Sequence, residues 1–71
     1  MNYQSVTSSN ISEIGHEDET LSVRFKNGTE YHYSNVPKGI FAQLVEAASV
    51  GRTFNELIKR KPSDYPYRQV A

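Results

Sequence analysis

The chain has no cysteine. That absence excludes disulfides, a thiol nucleophile and any Cys-ligated zinc or iron–sulfur site. It suits a reducing cytosol, so a cytoplasmic protein is expected. Net charge is also missing: eight Lys plus Arg offset eight Asp plus Glu. A neutral chain cannot capture a polyanion strongly from a distance; only local patches can attract it, and salt weakens them. No long apolar run is present. The most apolar stretch, IFAQLVEAASV, is interrupted by Gln43, Glu46 and Ser49, so no membrane span fits. The opening MNYQSVTSSN is polar and lacks the basic-then-apolar pattern of a secretory leader.

What is present is 71 residues, enough for one small domain with a thin core. There is no internal repeat. The organisation expected is a flexible segment 1–8, a single folded domain 9–61 and an extended, partly docked tail 62–71. The hydrophobic fraction of 37% suffices for two packed layers.

Between Ser9 and His16 the apolar residues are Ile11 and Ile14, a spacing that breaks strand alternation. A bulge near Ser12–Glu13 puts both on one face; without it one of them points outward. The acidic EDET at 17–20 reads as a turn. TLSVRFK at 20–26 is a clean strand, with Leu21, Val23 and Phe25 on one face. Asn27-Gly28 signals a hairpin into TEYHYS at 29–34.

A two-residue loop would set Val23 opposite His32. A three-residue loop, Lys26-Asn27-Gly28, shifts the pairing by one, with Gly28 in the left-handed position. Phe25 then faces Thr29, Val23 faces Tyr31 and Leu21 faces Tyr33; on the reverse side Arg24 meets Glu30 and Ser22 meets His32. A slip of one residue moves a whole strand to the other face, so the second register is the one expected. Tyr31 and Tyr33 then belong to the core.

Two helices can cover that face. The first is expected from Pro37, at its first helical position, to Ala48, with Ile40, Phe41, Leu44, Val45 and Ala48 as its stripe. Asn35 or Ser34 is its candidate cap. The second is expected from Gly51 to Arg60, with Ser49 or Gly51 at its start and Phe54, Leu57 and Ile58 as its stripe. Pro62 stops it. The architecture expected is α+β, a three-stranded antiparallel meander with two helices on one face.

The ordered set SSNI at 8–11, LSVRFKNG at 21–28, YHY at 31–33, Val36-Pro37 and SVGRTFN at 49–55 resembles the KTSC domain. That domain is named for its place at the C-terminus of some lysyl-tRNA synthetases, and it also stands alone in bacterial and phage proteins. The resemblance spans about Ser8 to Tyr67. It implies RNA binding, on the ground of the synthetase fusion, and it carries over no catalytic or ligand-binding residue. Members often have an aromatic near the end of the first strand, where this chain has His16.

Charge is unevenly spread. Residues 52–71 hold five cations, Arg52, Lys59, Arg60, Lys61 and Arg68, against Glu56 and Asp64. With Tyr65 and Tyr67 they are the candidate nucleic-acid-binding residues, cations for phosphates and rings for bases. The plainer account is that cations in a last helical turn complement the helix dipole.

Ser22, His32 and Glu30 share a strand face in the expected register, but an open sheet face offers no pocket or oxyanion donors, so no enzyme is expected. His16 and His32 with the acidic run 17–19 match no metal-ligand spacing. SVGRT lacks the second Gly and the Lys of a phosphate-binding loop. No metal and no cofactor is expected. Two readings stay open: an RNA-binding domain using the basic second helix and tail, and a protein-interaction module whose free sheet edges take a partner strand.

Overall fold

The computed structural model describes residues 1–71. Its sheet has five antiparallel strands in the order β1-β2-β3-β4-β5: β1 Tyr3–Ser5, β2 Ile11–Glu17, β3 Thr20–Phe25, β4 Glu30–Tyr33 and β5 Tyr67–Gln69. The helices are α1 Lys38–Glu46 and α2 Val50–Phe54, and α2 runs on into a π-helical turn, Asn55–Lys59. No helix is long and apolar enough to cross a membrane.

The class is α+β, as the residue pattern predicts, but the three-stranded sheet is corrected to five. The central meander was readable because β2, β3 and β4 carry alternating apolar residues. The two added strands, of three residues each, come from the polar ends of the chain. They hold by edge pairing: Tyr3 lies opposite Gly15, and Tyr67 opposite Tyr33.

The hairpin register is the expected one: Leu21 pairs with Tyr33, Ser22 with His32, Val23 with Tyr31 and Arg24 with Glu30. The Phe25 amide donates to the Thr29 carbonyl at 2.8 Å. Gly28 has φ 94°, where a side chain would be strained. Asn27 Oδ1 accepts from the Thr29 amide and hydroxyl, which locks the loop. A register shift between Ile11 and Glu13 is the bulge that turns both isoleucines inward, each 1% exposed.

Ten apolar residues form the core: Ile11, Ile14, Leu21, Val23 and Tyr33 from the sheet, Val36 from the loop, and Leu44, Val50, Phe54 and Ile58 from the helices. Phe25, Tyr31 and Phe41 pack against it at its margin. Pro37 is the N-cap of α1 and not its first helical residue: its φ of −65° suits a helix but its ψ of 153° is extended. The helix ends at Glu46, short of Ala48, because Ala47 turns extended to lead the chain into α2.

The second helix departs from α geometry at Asn55. The Arg60 amide donates to the Asn55 carbonyl five residues back. In an α-helix Lys59 would sit about 140° around the axis from Phe54. The wider turn brings it back toward the side that Phe54 and Ile58 share.

Candidate functional site

A hollow of about 460 Å³ lies on the helix side of the sheet, between β4–β5 and the second helix. Strand alternation builds one wall: Tyr31 and Tyr33 point to that side from β4, and pairing of Tyr33 with Tyr67 puts Tyr67 beside them from β5. Phe25 and Phe54 close the inner end, Tyr65 and Pro62 the outer, and Lys59 stands on the rim.

The rings form one continuous array. Tyr31 and Tyr33 stack with centroids 6.5 Å apart, Tyr67 lies 5.8 Å from Tyr31 and 5.4 Å from Tyr33, and the Phe54 edge meets Tyr33 at 5.3 Å. Exposure grades along it. Tyr33 is 6% exposed, Tyr31 is half-buried and Tyr67 is 58% exposed. Tyr33 is therefore a core residue, Tyr31 lies at the margin of the core rather than within it, and both wall the groove. Burial, helped by the neighbouring Tyr67 and Tyr31, pushes the Tyr33 hydroxyl up to about 12, so it stays a neutral donor.

A second hollow, of about 310 Å³, adjoins the first and is polar. Ser8, Asn10, Ser49 and Arg52 line it, and it shares Phe25, Phe54 and Lys59 with the aromatic groove.

Of the residues singled out in the sequence, Lys59, Tyr65 and Tyr67 thus come together at the groove and Arg52 stands next to it. Arg60 and Lys61 are exposed at the helix end but do not line it. Arg68 pairs with His32 and lies on the opposite face of the sheet. Phe25, Tyr31, Tyr33 and Phe54, read from the sequence as structural only, supply most of the groove wall. Only pairing of the tail places Tyr67 against Tyr33 and so completes that wall.

The opposite face carries a polar network centred on Glu30. Its Oε2 accepts from the Tyr3 hydroxyl, from Ser22 Oγ and from His32 Nε2, each at 3.0 Å, and its Oε1 from Arg24 Nε at 2.9 Å. Arg24 also reaches Glu13 at 3.2 Å and stacks 3.6 Å over the Tyr3 ring. The Arg24 guanidinium above all, with the other donors, holds the Glu30 carboxyl at about 2. Ser22 and His32 both turn to Glu30, and Ser22 is fully buried. With Tyr3, Arg24 and Glu13 the network ties β1, β2, β3 and β4 together. Nothing in the polar segment 1–8 marks Tyr3 for this part, because β1 is a three-residue strand that forms only by pairing with β2. His16 is committed to packing: its Nε2 lies 2.7 Å from the Val36 carbonyl and its ring stacks on Phe41.

A five-stranded meander with two helices on one face and a tyrosine groove between them defines a small α+β domain. The chain belongs to the KTSC domain family, whose pattern matches residues 7–61. It is similar to a crystal structure of a KTSC domain protein from Yersinia pestis, with a TM-score of 0.85 and 33% identity over 99% of this chain and 97% of that one. An uncharacterized protein from Stutzerimonas stutzeri (strain A1501) is 37% identical over 65 residues, 89% of each chain. A protein from Tsukamurella paurometabola is 38% identical over 58 residues, covering 79% of this chain and 87% of the relative.

Proposed function

We propose that this chain is a small non-enzymatic binding domain for single-stranded RNA, with the tyrosine groove as the place where an unstacked base is held. The observation that carries the reading is the graded aromatic wall Tyr33–Tyr31–Tyr67 with Lys59 on its rim. Single-strand binders combine rings that stack on bases with cations that follow the backbone, and each stack is worth about 1–3 kcal/mol. The volume, about 460 Å³, falls in the range of pockets that enclose small organic groups. Arg52, Lys59, Arg60 and Lys61 lie along the second helix and its end, which gives a neutral chain a local cationic side.

The alternative, a protein module that takes a partner strand, has less support. Both edges of the central meander are already covered by β1 and β5, and a partner would have to add to a strand of only three residues.

The test is a proton–nitrogen NMR titration with single-stranded RNA of about ten nucleotides, a length within the usual site sizes of such domains. Binding through four cations makes log K fall with log salt at a slope of about −3. A slope near zero, or amide shifts confined to the Glu30 face, removes the reading.

A further inference from the structure

The two hollows lie side by side. They share Phe25 and Phe54, whose rings meet edge to face at 6.4 Å, and Lys59 borders both. One side of the shared wall is aromatic and the other is polar, which is the division of chemistry within a nucleotide. We infer that together they form one nucleotide site, with a base against Tyr31 and Tyr67 and its phosphate in the trough beside Ser8, Asn10, Arg52 and Lys59. This assignment rests on the RNA-binding reading and adds to it the place where the backbone runs.

The trough suits a phosphate for three reasons. Arg52 and Lys59 are its two cations and no carboxylate lines it. Glu56 pairs with Arg52 from outside, at 3.5 Å, with both side chains more than half exposed. Such an exposed pair is weak and yields readily to a phosphate that accepts from the guanidinium in a bidentate way.

Ser8 Oγ already accepts from the amides of Asn10 and Ile11, each at 3.3 Å, so its own proton is free to point into the trough. Gly51 lets that hydroxyl sit close to the helix: a Cβ at residue 51 would stand 3.2 Å from Ser8 Oγ. The π turn then completes the arrangement, because it rotates Lys59 onto the side of Phe54 where both hollows meet.

The same chemistry is offered by a free nucleotide and by one unit of an RNA strand, and the experiment separates them. The intact protein is titrated at low salt with adenosine, with adenosine 5′-monophosphate and with a single-stranded RNA of about ten nucleotides. Amide shifts and quenching of tyrosine fluorescence are followed; the chain has no tryptophan to mask the latter.

The expected result is that the monophosphate binds about fivefold tighter than adenosine, as one exposed charge contact supplies. It shifts Ser8, Asn10 and Arg52 in addition to the groove residues, and the RNA shifts both sets. Arg52→Gln removes the advantage of the monophosphate and leaves adenosine unchanged; Gly51→Ala, which displaces Ser8, reduces it in the same way.

Equal binding of adenosine and its monophosphate, with Ser8 to Asn10 silent while RNA still shifts the groove, overturns the phosphate site and leaves RNA binding standing. The full monophosphate pattern without any response to RNA supports the site and removes the RNA reading in favour of a free nucleotide. Silence toward all three ligands overturns both.

Discussion

Arg24 and Glu30 face each other across β3 and β4, with Nε 2.9 Å from Oε1, and this ion pair anchors the whole outer face of the sheet. Arg24 also stacks over Tyr3 and reaches Glu13, so one guanidinium bridges β1, β2, β3 and β4. No buried side-chain nitrogen or oxygen is left without a partner.

The Glu30 carboxyl makes folding depend on pH in acid. It is held at about 2 in the folded chain, against 4.5 for an ordinary glutamate. The folded protein therefore binds this proton less readily than the unfolded chain. The stability it contributes is complete above pH 4.5 and is lost as pH falls from there toward 2. Glu30→Gln is expected to cost about 1–3 kcal/mol at neutral pH, toward the low end because Arg24 is part-exposed. It should also flatten that acid limb. Urea midpoints measured from pH 7 down to pH 3 check this.

Tyr33 and Tyr67 neighbour each other in the groove but answer to different tests. Tyr33→Ala empties a buried position and is expected to cost about 3–5 kcal/mol, enough to unfold so small a domain. Tyr67→Ala removes a ring that is 58% exposed. The protein should stay folded by circular dichroism and lose about 1–3 kcal/mol of RNA affinity.

Cations on the two faces of the sheet should differ. Lys59→Gln weakens RNA binding and lowers the magnitude of the salt slope by about 0.7. Arg68→Gln, on the face with His32, leaves both unchanged within error. A fluorescence titration across a salt series decides it; equal losses at the two positions point to diffuse charge attraction and away from a groove.

The turn between β2 and β3 stores strain. Asp18 and Glu19 have φ of 49° and 62°, a region that favours glycine. Glu19→Gly keeps the Glu19 carbonyl that accepts from the Val36 amide. It is expected to stabilise the fold by about 0.5–1 kcal/mol, the relief of the left-handed residue less the extra entropy of a glycine. Thermal melts of the two proteins measure the difference.

The parts of the fold that could be read in advance are those encoded by neighbours in the chain. Leu21, Val23 and Phe25 alternate with polar residues, so β3 and its inner face were plain. Keeping Tyr31 and Tyr33 on the apolar face with Leu21 and Val23 selected the three-residue loop, and with it every pair from Leu21–Tyr33 to Arg24–Glu30. The stripe of Phe54, Leu57 and Ile58 marked the second helix. The candidate site was half visible: Lys59, Tyr65 and Tyr67 stood out as chemistry, whereas Tyr31, Tyr33 and Phe54 were absorbed into the core.

Local periodicity and turn chemistry by themselves determined the central meander, its register, the bulge option at Ser12–Glu13 and the existence of both helices. They could do so because each depends on interactions within a few residues of chain. Only the tertiary structure decided that Tyr3–Ser5 and Tyr67–Gln69 become edge strands, that Arg68 leaves the groove while Lys59 turns toward it, and that the tyrosines form one wall. The physical reason is that a three-residue polar segment has no conformation of its own. It becomes a strand because a sheet edge offers unpaired amides and carbonyls, and that edge exists only once the rest of the chain has folded.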